Sequence, residues 1–270
     1  MKYESSVKIE KDPNSFDLSI IVVCYNNCNF IKSLVQDLTR LPSNCEIVVV
    51  DNNSSDDTTA VMQELLSLQK KDNAALVYLQ CLENLWHSGG CNKGFHESRG
   101  RNILFLNDDV RVTKDYEIWH ENLIKILEVD KDFWKKSGET CKLVGPTFGY
   151  LRNDFSFIKE SNRLELSFSN PYLSGWCLAG TRTTFDALRP TKTMQPYTLH
   201  SGPWNKDLFY FNDVDLSWRA KEVCMDLEHI DLPLKHFGKT TVKKHHDVNK
   251  LYLEGKEKFT KIWRNEYKEL

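Results

Sequence analysis

The residues best suited to chemistry are carboxylates and one histidine, set in short polar clusters. Asn107-Asp108-Asp109 puts two adjacent carboxylates directly after the apolar run NILFL, residues 102–106. Two carboxylates at a strand end offer a hard oxygen site for Mg²⁺ or Mn²⁺, ions that keep several waters and also take substrate phosphates. The same three residues are good turn formers, so alone they support either reading. Farther on, residues 209–219 read FYFNDVDLSWR, with Asp213 and Asp215 at the start of a helical pattern. Acids there stabilise a helix N-terminus without any catalysis. His236 lies in LPLKHFGKTT, residues 232–241. A neutral imidazole is an acceptable extra ligand for Mn²⁺, although a lone histidine is more often structural.

These clusters need a scaffold, and the first half of the chain spells one out. LSIIVVCY (18–25), EIVVV (46–50), ALVYLQC (75–81) and NILFL (102–106) are short apolar runs of the kind that form strands buried on both faces. Between them lie helical patterns. Ile31, Leu34, Val35, Leu38 and Leu41 recur at helical spacing before Pro42. Ser54 and Ser55 can cap a helix carrying Val61, Leu65 and Leu68, and residues 88–99 form a Gly-rich helix start. This alternation predicts an α/β fold with a mostly parallel sheet flanked by helices. Ligands of such sheets bind beyond the carboxyl ends of the strands. Tyr25-Asn26-Asn27, Asp51-Asn52-Asn53 and Asn107-Asp108-Asp109 should therefore converge on one rim.

Beyond residue 110 the alternation weakens. Residues 116–129 read as a helix, 131–170 as irregular, 173–181 (LSGWCLAGT) as a strand and 191–205 as a loop. Residues 213–223 and a basic, amphipathic stretch at 250–267 read as helices.

The motifs together resemble the GT-A glycosyltransferases, and glycosyltransferase family 2 in particular. The resemblance rests on SIIVVCYN (19–26), EIVVVDNNSSDDT (46–58), ENLWHSGGCNKGF (83–95), ILFLNDDVRV (103–112) and FYFNDVDLSWR (209–219). It implies a Rossmann-like sheet with a smaller acceptor-side part, and an inverting, metal-dependent transfer of sugar from a nucleotide-diphosphate donor. It divides the chain into an N-terminal extension (1–17), a nucleotide-sugar-binding part (18–112) and an acceptor-binding part (113–270), within one compact domain. The run 107–109 resembles the family's D-x-D element with Asn107 at the first position, and this implies Asp109 as metal ligand with Asp108 weaker beside it. Asp51 takes the place of the acid that contacts base or ribose. A carboxylate suits that task because it accepts hydrogen bonds from N–H and hydroxyl groups. Tyr25, Asn26, Asn53 and Asn84 join it on the donor side. Gly89 and Gly90 would allow close backbone approach to the nucleotide, with Asn92 and Lys93 reaching ribose or phosphate.

In the acidic motif the family's usual Glu-Asp stands here as Asn212-Asp213, which implies Asp213 as general base toward an acceptor hydroxyl. Asp215 would hold the acceptor and Arg219 would pair with an acid. Trp176, in WCLAG, either stacks on a sugar face or fills the core. His236, followed by Gly238 and Thr240, would complete the metal and diphosphate site. Lys239, Lys243 and Lys244 would neutralise the departing diphosphate. The implied donor is a UDP- or dTDP-sugar, and the implied acceptor a glycan, polysaccharide or lipid-linked saccharide.

Composition bounds the alternatives. The chain has 270 residues, 40% hydrophobic, with a net charge of -2. That suits one large core and does not indicate a nucleic-acid binder. The charge imbalance is local: Lys235 to Leu270 holds ten Lys or Arg against five Asp or Glu. That segment is either a solvated helix face or a peripheral contact with an anionic membrane surface. No apolar run approaches the ~20 residues of a membrane helix, no apolar leader is visible, and eight cysteines without a C-x-x-C pair read as reduced thiols. These point to a soluble cytoplasmic protein. Two rivals remain. One is a sugar-nucleotide-binding protein without turnover, which retention of Asp108, Asp109 and Asp213 argues against. The other is a sugar nucleotidyltransferase, which wants a Gly-rich basic loop where this chain has Tyr25-Asn26-Asn27-Cys28-Asn29.

Overall fold

The computed structural model describes residues 15–113, 118–128, 142–190, 201–238 and 247–263. The four apolar runs are strands: β1 (Phe16–Cys24), β2 (Cys45–Asp51), β3 (Ala75–Gln80) and β4 (Gly100–Asn107). They alternate with helices α1 (Cys28–Leu38), α2 (Thr58–Ser67) and α3 (Trp86–Glu97). After β5 (Val110–Val112) and α4 (Trp119–Glu128) come β6 (Lys142–Gly145), β7 (Phe148–Leu151), β8 (Phe157–Ser161), β9 (Pro171–Leu173) and β10 (Cys177–Thr181). The described chain ends with α5 (Arg182–Ala187), α6 (Asn212–Glu222), β11 (Asp226–His229), β12 (Leu234–His236) and α7 (Val248–Trp263).

Seven strands form the central sheet in the order β11-β6-β10-β4-β1-β2-β3. Six run the same way, and β10 pairs antiparallel with both β4 and β6. The period-2 alternation of a strand sorts its side chains to two cores. Leu18, Ile20, Val22 and Cys24 of β1 pack with α1, α2 and α4, whereas Ile21 packs with Val48, Phe105 and the α3 side.

Helix α3 lies unusually close to the sheet. A Cβ on Gly94 would sit 2.4 Å from a methyl of Ile21, and one on Gly90 would sit 2.7 Å from a methyl of Val23. Gly90 therefore lets a helix approach a strand, and this corrects the expectation that its bare backbone faces the nucleotide.

Three other expectations change. The described part of 131–170 is not irregular: it contributes β6 to the main sheet and β7 and β8 to a separate three-stranded sheet with β9. Strands of four or five residues are too short to show periodicity in sequence. The strand expected at 173–181 is two strands, β9 and β10, broken at Ser174–Trp176. There the Ser174 N–H bonds to the Thr147 carbonyl and the Gly175 N–H to the Asp213 carboxylate. Ser54 and Ser55 do not cap α2, which begins at Thr58; the Ser54 hydroxyl instead accepts the Asn26 N–H at 2.9 Å.

Helix α7 docks by one face. Phe259 and Trp263 are buried against Phe211 and Trp218 of the α6 region, and the Trp263 indole N–H donates to Asp215 at 3.0 Å. Among the described residues no helix is long and apolar enough to cross a membrane. The described cysteines are all free, and five of them are buried. Most of residues 1–17 and the lysines at 239, 243 and 244 lie outside the described residues.

Candidate active site

A cleft of about 300 Å³ opens at the carboxyl ends of β1, β2 and β4. Tyr25 and Asn84 line it from the β1 and β3 sides, and Asn107, Asp108 and Asp109 from the end of β4. Trp176, Asp213 and His236 come from the second half of the chain. These eight sequence candidates share one space.

The antiparallel pairing of β12 with β5 brings in His236. Its register sets His236 opposite Val110, and the Phe237 N–H closes on the Asp109 carbonyl at 3.0 Å. The result is a contact of 3.1 Å between His236 Nε2 and Asp109 Oδ1. Trp176 stacks on the same imidazole, with ring centroids 4.9 Å apart and planes within 6°. Trp176 thus steadies His236 with one face while it also packs against the core of the sheet. Beside Asp109, Asp108 is buried, and that burial first, then the Asp109 charge, raises its pKa to about 7.

This donor set fits a divalent cation of the Mn²⁺ or Mg²⁺ kind. It pairs a carboxylate oxygen with an imidazole nitrogen, next to a second carboxylate. Two ligands about 2.1 Å from one octahedral ion stand about 3.0 Å apart, close to the observed spacing. Among the described residues no three His, Cys, Asp or Glu side chains gather as a closed cage. An ion held by one or two protein groups keeps its other positions for water and phosphate oxygens.

Asp213 sits in the first turn of α6, half-buried. Its carboxylate accepts the Gly175 N–H at 3.0 Å and the Val214 N–H at 2.9 Å. Burial nevertheless raises its pKa to about 6, against the lowering effect of those amides. A carboxylate tuned upward is a stronger base at neutral pH than an exposed one. Phe211, just before α6, has φ of 67°, a left-handed conformation that costs a bulky side chain energy and sets the entry angle of the helix.

Other candidates serve the frame. Asp51 is fully buried, and its carboxylate is taken by the Ser54 N–H at 2.8 Å and the Tyr78 hydroxyl at 2.6 Å. Asn26 bonds Ser54 and Ser55, so it ties the β1 and β2 ends together. Asn53 is an exposed turn residue with φ of 65°. Asn92 is buried and clamps both backbone groups of Trp204, at 2.8 and 2.9 Å. Lys93 is half-buried and does not line the cleft.

Asp215 does not line the cleft: buried, it bonds Trp263 and pairs with Arg219 at 2.8 Å. Arg219, expected to pair with an acid, does so, and its guanidinium also donates to the Leu188 and Pro203 carbonyls.

Several cleft residues carried no clear sequence signal. Asn52, between Asp51 and Asn53, lines the cleft; its amide donates to the Trp86 carbonyl at 2.9 Å, while its own carbonyl oxygen is buried without a protein partner. Strand alternation, which sends neighbours to opposite faces, was the available clue. Trp86 and Phe209 pack edge to face at 5.1 Å on the cleft wall, and Trp86 has φ of 60°. His87 and Asn212 meet at 3.1 Å across 125 positions of sequence.

A large, mostly parallel sheet flanked by helices is the arrangement of the GT-A glycosyltransferases. Residues 19–183 match the family model described as Glycosyl transferase family 2, and the chain belongs to that family. Its fold is similar to that of the mannosyltransferase PcManGT from Pyrobaculum calidifontis in complex with GDP-Man and Mn²⁺. That likeness has a TM-score of 0.57 and 16% identity, over 82% of this chain and 57% of that one. TarS 1–349 from S. aureus in complex with UDP-GlcNAc is also similar, with a TM-score of 0.52 and 17% identity, over 88% of this chain and 64% of that one. The chain thus spans less than two thirds of either structure's length. No curated protein matches it in sequence.

Proposed function

We propose that this protein is an inverting glycosyltransferase that uses a divalent cation and a nucleotide-diphosphate sugar, with Asp213 as its base. The observation that carries the reading is one cleft lined both by the Asp109–His236 pair and by Asp213. The fold likeness to structures holding GDP-Man with Mn²⁺, and UDP-GlcNAc, supports a donor of this chemical class.

Asp109 and His236 would hold the cation, with Asp108 beside them. When bound, the cation offsets the charge that grows on the diphosphate leaving group. Asn52 lines the donor side of the cleft and holds the Trp86 backbone there through its amide. Asp213 accepts the proton of the acceptor hydroxyl as that oxygen attacks the anomeric carbon. The Gly175 and Val214 amides keep its carboxylate aimed during the transfer. One base and one displacement give inversion. Trp86 and Phe209 provide an aromatic wall for the flat face of an acceptor sugar.

A thermal-shift panel of UDP, GDP, dTDP and CMP, each with and without Mn²⁺, tests the reading. A Mn²⁺-dependent shift with one diphosphate names the donor base. A flat panel overturns the proposal.

A further inference from the structure

Beside the base runs a line of polar side chains that no motif accounts for. Asn212 immediately precedes the base, and its carbonyl oxygen accepts the Asp213 N–H at 2.9 Å. Its amide nitrogen donates to the Ser88 hydroxyl at 3.0 Å and faces His87 Nδ1 at 3.1 Å. An amide NH₂ only donates, so Nδ1 is the acceptor and carries no proton. The single proton of a neutral imidazole then sits on Nε2. His87 also lines the cleft with Asn107, and the Trp204 ring on which it packs rests in turn on Phe105 of β4, centroids 5.3 Å apart. At the end of β4 the Asn107 backbone N–H is fixed by the Trp176 carbonyl at 2.9 Å. The hydrogen-bond line therefore runs His87, Asn212, Asp213, and His87 reaches β4 through the packing of Trp204.

On the reading given under Proposed function, we propose that His87 is a positioning residue that fixes the β4 end, which carries the cation pair, in register with the α6 start, which carries the base. Two features suit it to this role. Burial holds the ring neutral, lowering its pKa to about 4, so the Asn212 bond persists at every physiological pH. Its ring also packs edge to face on buried Trp204, centroids 5.2 Å apart, which fixes its orientation. Its partners Trp204 and Asn212 lie 117 and 125 residues away in sequence, so neither contact can form before the two halves meet.

The test compares H87F, which keeps a ring of similar shape, with H87Q, which keeps one acceptor and one donor. The reaction is Mn²⁺-dependent hydrolysis of UDP-GlcNAc or GDP-mannose, whichever the wild type turns over. H87F should lower kcat about 10- to 100-fold, the usual cost of a supporting hydrogen bond, with the donor KM within about twofold. H87Q should recover at least about a third of wild-type kcat. Unchanged kcat in folded H87F, or H87Q as impaired as H87F, overturns the proposal. An independent arm uses ¹⁵N-histidine NMR of the unliganded wild type, with the His87 signal assigned by its loss in H87Q. A neutral Nε2–H tautomer from pH 5 to 8 is expected; the Nδ1–H tautomer or an imidazolium overturns the inference. If the wild type hydrolyses no donor, the functional reading fails while the NMR arm still decides the hydrogen-bond line.

Discussion

The two sides of the cleft are built by opposite means. On the β1–β4 side, each polar residue stands at the end of a strand that is paired to its neighbours over six or seven residues. Position there follows from the sheet. On the α6 side, Asp213 sits on a helix packed by Leu216 and Ala220 on one core and by Val214 and Trp218 on another, while its polar start is aimed by isolated long-range bonds: Gly175 to the Asp213 carboxylate, Ser88 and His87 to Asn212, Trp263 to Asp215. A sheet distributes the loss of one contact over many, whereas side chains at a helix start that are aimed by a few buried bonds have no such reserve. Damage on the second side should therefore be local, large and separable from donor binding.

The strongest test of that separation is D213N, which keeps the side chain's shape and removes its basicity. Transfer should fall about 10²- to 10⁴-fold, while the Mn²⁺-dependent thermal shift with the diphosphate stays as in wild type. Normal turnover by D213N removes Asp213 from its role, and a lost shift would mean that the two sides are not separable.

Asp215→Ala strikes the frame of the same helix. It leaves the buried Arg219 guanidinium without its carboxylate and Trp263 without its acceptor. Breaking such a pair costs about 3–5 kcal/mol, read by chemical denaturation. A loss below about 1 kcal/mol would place the pair among the weak surface bridges.

His236→Ala probes the first side. The Mn²⁺ concentration giving half-maximal thermal shift should rise about 10- to 100-fold, with the shift by diphosphate alone unchanged. An unaltered Mn²⁺ response would leave Asp109 and Asp108 as the cation's only protein ligands.

The pH profile gives a smaller, graded effect. Asp213 acts when ionised, and its pKa is raised to about 6. Below that value kcat/KM should fall about tenfold per unit as the carboxylate protonates, and above it the rate should level. A limb near pH 4 would show that burial does not tune this group. The mildest change is Asn52→Ala, which should raise the donor KM about tenfold or less, as the neutral hydrogen bond that holds the Trp86 backbone at the cleft wall is lost.

How much of this was legible in advance follows the same division. NILFL and EIVVV announce buried strands, and the residues after them announce the rim, because a strand's length and period are local properties. Even there the sequence misjudged which neighbour faces the cleft: Asp51 turns inward to Ser54 and Tyr78, and Asn52 lines the space. Asn92 and Asp215 looked like ligand groups and are frame bonds, since a polar side chain's partner is invisible when it lies 112 or 48 positions away.

The chain by itself determined its α/β class, the four parallel strands, the carboxylate pair after β4 and the acid at the start of α6. Each follows from hydrophobic period, chain direction and residue chemistry over a few positions. Tertiary structure alone decided that β12 lays His236 against Asp109, that β10 enters the sheet reversed, and that His87 meets Asn212. Those contacts close long loops, and whether a loop closes depends on what all the other elements bury, not on the residues at its two ends.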